Sequence, residues 1–110
     1  MATVDDFAAI DVRVGTVVEA APFPEARKPA FRLVIDFGPE LGSRQSSAQL
    51  TRHYAPEDLV GRQVVAVVNF PPRRIAGFTS EVLVLGAMPG EGDVILLRPD
   101  QPTPNGSRIG

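Results

Sequence analysis

The chain has no cysteine, so a disulfide framework and a thiolate metal site are both excluded. It has one histidine, His53, which rules out a cluster of histidine ligands; a Ser-His-Asp triad would have to use that residue. No G-x-x-x-x-G-K-[ST] phosphate loop occurs. Aromatic residues are scarce, six phenylalanines and one tyrosine. Several of them are needed in a core, which leaves little for the stacking platform of a sequence-tolerant single-strand binder. No apolar run approaches the length of a membrane span. The opening MATVDDFAAIDVRVG lacks the basic and apolar regions of a secretory signal, so a cytoplasmic protein is expected. An excess of positive charge is also missing: the formal net charge is −2 and the pI about 5.3. Indiscriminate binding to polyanions usually needs a strongly basic surface.

What is present is an ordinary globular mix, 44% apolar and 22% charged, over 110 residues. That length suits one domain with one core, burying roughly 65% of the surface the unfolded chain exposes. Lysine occurs only at Lys28, so ten of the eleven basic residues are arginine. Arginine's planar fork suits selective contacts better than a broad field does. Apolar rhythm is of period two or continuous. Ile10 to Val18 alternates and then runs apolar, with Gly15 marking a bend or bulge. Phe31, Leu33, Ile35 and Phe37 share one face of a strand, with Arg32, Val34 and Asp36 on the other. Further strands are expected at Arg44–Leu50, Arg62–Phe70, Glu81–Ala87 and Val94–Arg98, separated by glycine and proline. Helices are few. Thr3 with Asp6 reads as a capped start, and Thr51–Leu59 as a turn of helix with Pro56 near its start and Gly61 at its end. Pro104–Ile109 carries an Asn-Gly turn signal and is expected to dock as a last short strand. Together these predict an all-β protein, a small closed or nearly closed barrel with one or two short helices, since closure removes exposed strand edges.

Enzyme signals are weak. Asp5-Asp6 and Glu57-Asp58 fit helix starts, where the macrodipole favours acids, and His53 beside Tyr54 fits a half-buried packing residue. The chain reads as a non-enzyme without cofactor or metal. Two stretches point to binding instead. Arg44-Gln45-Ser46-Ser47-Ala48-Gln49 is a strand of small and amide side chains, poor strand formers that suit a ligand lying close to the backbone. The alternative is a solvated edge strand. In NFPPRRIAGFTSEVLVLG, Asn69 to Gly86, Pro71-Pro72 stiffen the exit of one strand and aim Arg73 and Arg74 outward, Gly77 permits the return, and Thr79-Ser80-Glu81 opens the next strand. Such a loop would stand at a barrel rim, with Glu81 free to pair with one arginine and the other left over.

The blocks Arg44–Tyr54, Pro56–Arg62, Val68–Gly77 and Ser80–Gly86, with Asp11–Val17 and Pro104–Ile109, resemble in order and spacing the tRNA-binding OB-fold family. That family includes free-standing dimeric tRNA-binding proteins, an appended domain of some methionyl- and phenylalanyl-tRNA synthetases, and CsaA-type secretion chaperones. The resemblance covers nearly the whole chain and implies a Greek-key OB-fold spanning residues 1–110. It is nearest to the CsaA type. The loop at Phe70-Pro71-Pro72 is less basic than in tRNA-binding members, Ser80-Glu81-Val82-Leu83 lacks their Gly-Met, and the chain is acidic. This implies a homodimer that binds unfolded or export-destined polypeptide, works beside the translocation machinery, and has tRNA as its alternative ligand. By the same resemblance the ligand-binding residues are Lys28, Phe31, Arg44, Ser46, Ser47, Gln49, Asn69, Arg73, Arg74, Ser80 and Glu81.

Overall fold

A computed structural model describes residues Met1–Gly110. The chain enters through α1, Val4–Ala8. Thr3 Oγ1 accepts the Asp6 N–H at 3.2 Å and Asp6 Oδ2 accepts the Thr3 N–H at 2.8 Å, a reciprocal cap that satisfies two otherwise orphaned donors.

The strand that follows, β1 (Val12–Pro22), serves both halves of the barrel. Its first half pairs with β4 (Gln63–Val67), from Val12↔Val67 to Thr16↔Gln63. Its second half pairs with β2 (Phe31–Asp36), ending at Pro22↔Phe31. The strand turns the corner between them in two steps. At Gly15 a Cβ would lie 2.6 Å from Ile35 Cγ2 and 2.8 Å from Phe37 Cδ1, so only glycine lets the sheet fold this tightly onto its core. Between Val17 and Glu19 the register shifts by a bulge.

The alternation expected in β2 is observed: Phe31, Leu33, Ile35 and the following Phe37 are buried, while Arg32 faces out. A single turn, α2 (Gly38–Leu41), then leads to β3 (Ser43–Ala48), which pairs with β2 from Phe31↔Ala48 to Asp36↔Ser43. α2 brings the short helices to three instead of one or two. Gly38-Pro39 reads as a strand stop, but proline in a first turn also starts a helix, because its missing N–H would be unpaired there anyway. α3 (Pro56–Leu59) presents Leu59 to the core, and Asp58 Oδ2 accepts the Ala55 N–H at its start.

β4 is buried on both faces. Val64, Ala66 and Val68 join the main core with Leu33, Ile35, Phe37 and Leu59, while Val65 and Val67 form a smaller cluster with Val12 under Ile10, Leu85 and Ile109. The remaining strands are β5 (Arg73–Ile75), β6 (Phe78–Ser80), β7 (Leu83–Val84), β8 (Gly86–Gly90) and β9 (Asp93–Leu96). The stretch 81–87, read above as one strand, changes partners at Leu85: β7 pairs with β4, and β8 with β9.

The main sheet runs β3-β2-β1-β4-β7. Its ends are brought together where the Glu81 N–H donates to Gln45 O at 2.8 Å and the Ser47 N–H donates to Ser80 Oγ at 3.0 Å. The result is a nearly closed OB-fold barrel. The tail docks as expected. Gly106 N–H donates to Val14 O, Val14 N–H to Ser107 O and Ile109 N–H to Val12 O, with a bridge between Arg13 and Arg108. Arg13 secures this edge: its Nε donates to Asp11 Oδ1 at 2.6 Å and its Nη1 to Gly106 O at 3.0 Å. The Asp11 hydrogen bond raises the guanidinium pKa above its already high ordinary value, so the clamp stays charged throughout the working pH range. No helix is long and apolar enough to cross a membrane.

Candidate functional site

Strand parity decides which side chains can meet a ligand. Cross-strand pairing stacks Ala21, Arg32 and Ser47 in one row of the outer face of β1, β2 and β3, and Glu19, Val34 and Gln45 in the next. Inward rows hold Leu33 opposite Ser46 and Phe31 opposite Ala48. A shallow groove of about 230 Å³ crosses the outer face, with Ala21 and Val34 of the outer rows in its floor, Glu19, Arg32 and Gln45 around it and Phe78 as a wall.

The wall is supplied by the segment that the sequence suggested was a rim loop. It is a hairpin. β5 and β6 pair through Arg73↔Ser80, Arg74↔Thr79 and Ile75↔Phe78. Its two-residue turn has Ala76 at φ 48° and Gly77 at φ 82°. Positive φ at both central positions is the twist-matched hairpin turn, which glycine enters freely and alanine only at some cost. The hairpin brings Phe78 to Phe23, ring centroids 5.4 Å apart and planes at 61°. Arg32 Cζ lies 5.4 Å from the Phe23 centroid and 5.8 Å from that of Phe78. One guanidinium thus caps both rings, each contact worth about 0.5–1 kcal/mol where water has access.

Several expected site residues lie at this face and several do not. Ser47 is on the outer row, and Arg73 and Arg74 are exposed on the hairpin, Arg74 Nη1 donating to Thr79 Oγ1 at 2.5 Å. Lys28 and Gln49 are exposed, in the loop before β2 and just after β3. Phe31 is a correction: it is buried in the main core and cannot stack on a ligand. Ser46 is another, at 1% exposure, its Oγ donating to Val82 O at 2.9 Å. Ser80 is buried as the acceptor for Ser47 N–H, and Arg44, on the inward parity, donates from Nε to Leu41 O. Glu81 pairs with no arginine; its Oε1 accepts the Gln45 N–H at 3.0 Å, so Ser80 and Glu81 are barrel-closing residues. Asn69 ties the N-terminal segment to the exit of β4, accepting from Asp11 N–H at 2.8 Å and donating to Ala9 O at 2.9 Å. His53 is exposed, in contact with Asp93 through Nε2, a link between the turn before α3 and the start of β9.

Glu19, Phe23, Arg32, Val34 and Phe78 line the groove or its wall without being among the expected ligand-binding residues, while Gln45 belongs to the polar strand singled out above. The signal for Arg32, Val34 and Gln45 was present: once Phe31, Leu33 and Ile35 are placed inward, their alternating neighbours must face out.

Known proteins resemble the chain over this whole architecture. The model of the family described as "Putative tRNA binding domain" matches residues 12–108. The crystal structure of chaperone CsaA from Bacillus anthracis str. Ames superposes with a TM-score of 0.96 at 62% identity, covering 100% of this chain and 99% of that one. The CsaA chaperone protein from Picrophilus torridus gives 0.93 at 48%, covering 100% of both. Methionine–tRNA ligase of Porphyromonas gingivalis is 40% identical over 105 residues, which make up 96% of this chain and 15% of the ligase. The chain therefore spans a small fraction of the curated relatives it matches.

Proposed function

The chain belongs to this tRNA-binding domain family, and from that premise we propose that it is a non-enzymatic chaperone that holds unfolded or export-destined polypeptide as a homodimer. The observation that carries the reading is the groove. Its floor is apolar and shallow, and its two nearest charges, Glu19 and Arg32, are opposite in sign. Such a surface fits an extended peptide of mixed character better than a run of phosphates. The aromatic supply agrees. Phe23 is buried and Arg32 lies over both Phe23 and Phe78, so the rings beside the groove offer no free face for a base to stack upon. The similarity to two CsaA chaperones over the full chain supports the same reading. The dimer is supported by exposed Leu83, Met88, Ile95 and Leu97 on β7 to β9 and the residue after it, apolar surface of the kind a second subunit covers. Two grooves in one dimer would let one extended guest gain avidity.

A second reading, recognition of folded tRNA, is favoured by the family match and by the exposed cations Arg73 and Arg74. One experiment separates them. Binding of a reduced, denatured polypeptide and of folded tRNA is measured by anisotropy across a salt series, with Arg32→Ala and Phe78→Ala in parallel. The chaperone reading expects capture of the polypeptide with a shallow salt slope, weakened several-fold by either substitution. Tight tRNA binding with a steep salt slope, unchanged by Phe78→Ala, would replace it with the second reading. A monomeric mass by light scattering at micromolar concentration would remove the dimer.

A further inference from the structure

A larger cavity, about 520 Å³, lies apart from the groove residues, between the turn after α3 and the segment Arg98–Pro102. Its lining is mixed, with Val60, Pro99 and Pro102 beside the charged side chains of Asp58, Arg62, Arg98 and Asp100. The two walls are fixed. Pro99 and Pro102 stiffen the segment, and its ends are pinned: Leu97 N–H donates to Leu85 O, while the Gln63 side-chain amide donates to Thr103 O at 2.7 Å and accepts from Thr103 N–H. On the opposite wall Arg62 is held flat, its Cζ 5.4 Å from the centroid of the Tyr54 ring, and Tyr54 OH is itself engaged by Leu96 N–H.

The charges in this cavity are unspent. Two guanidinium groups and two carboxylates line one space, yet the ion pairs of the molecule are Arg13–Asp11, Arg108–Asp11 and His53–Asp93. Arg62 Nε is buried with no acceptor, a state that folded proteins usually avoid. Asp58 uses one oxygen to accept the Ala55 N–H and keeps the other free. A surface pocket whose two cations and two anions form no ion pair is poorly matched to a phosphate, which the two carboxylates would repel. It is well matched to a ligand carrying both signs.

We propose that this cavity binds a small zwitterion of amino-acid to dipeptide size. Its carboxylate is received by the guanidinium groups of Arg62 and Arg98, and its ammonium group by Asp58 and Asp100. The site is independent of the groove, so its test does not depend on the chaperone reading.

The full chain, uniformly labelled with nitrogen-15, is titrated with Ala-Ala, N-acetyl-Ala-Ala, Ala-Ala amide and inorganic phosphate. Ala-Ala is expected to give saturable shifts at the amides of Gly61, Arg62, Gln63 and Asp100. Each blocked dipeptide should bind about ten-fold more weakly, one charged contact being worth roughly 1.4 kcal/mol. Arg62→Gln should abolish the shifts. Because Arg62 also braces Tyr54, Asp100→Asn is the second variant: it should weaken Ala-Ala and narrow its advantage over N-acetyl-Ala-Ala, while its advantage over Ala-Ala amide stays the same. Arg32→Ala should change nothing here. Absence of saturable shifts, equal binding of the acetylated dipeptide, or tighter binding of phosphate would each overturn the proposal.

Discussion

Replacing Ser46 by alanine should lower stability and leave guest capture intact. The side chain is 1% exposed and its hydroxyl donates to Val82 O at 2.9 Å, in the seam where the barrel closes. Val82 is itself 4% exposed, so no water replaces the lost donor. Leaving a buried carbonyl unpaired costs about 1–3 kcal/mol. For a chain of this size a kilocalorie moves the melting temperature by roughly 4 °C, so the midpoint should fall by about 4–12 °C. Thermal and urea unfolding followed by circular dichroism measure this, with an unchanged urea slope marking a pure stability effect. Polypeptide binding, assayed well below the midpoint, should match the parent chain. Ser47→Ala, one position along on the outer row, should behave in the opposite way: little change in melting and a weaker guest. A Ser46→Ala protein that melts like the parent but binds poorly would refute the parity argument on which the placement of the groove rests.

Three further outcomes are expected. Gly15→Ala should destabilise by about 1–3 kcal/mol, because its methyl group must displace Ile35 or Phe37 in a filled core; calorimetry reads the loss. Ala76→Asn should raise the melting temperature by a few degrees, asparagine tolerating the left-handed backbone that costs alanine about 1 kcal/mol. Asn69→Ala removes two side-chain hydrogen bonds to Ala9 and Asp11, and hydrogen exchange should show the Asp11 amide opening faster with only about 1 kcal/mol lost overall.

The barrel was largely legible because its signals are local. The alternation from Phe31 to Phe37 fixes the inner face of β2, the continuous apolar run at Val64–Val68 marks a strand buried on both sides, and Asn105-Gly106 marks the returning tail. The site was less legible, for two physical reasons. Ser46, Ser80 and Glu81 look like ligand-facing polar groups, yet in a closing barrel the seam itself consumes donors and acceptors, which local sequence does not reveal. Phe78 acquires its role only when the hairpin folds back beside Phe23, a contact between residues far apart in the chain. Arginines 73 and 74 were placed on an exposed element, but their hairpin geometry came from the Ala76-Gly77 turn, where alanine hides the usual two-residue signal.

The docking of residues 105–109 along β1 has a consequence for how the protein is made. The first long strand finds one neighbour in β4 and another in a stretch some ninety positions downstream, as the Thr16–Asn105 contact between residues 89 apart illustrates. A nascent chain on the ribosome cannot finish its opening strand until that distant stretch has emerged. The last step of assembly therefore waits on a remote pairing and is slow in the manner of topologies dominated by such contacts. In the interval the protein would itself expose the kind of unfinished surface that it is proposed to shield in others.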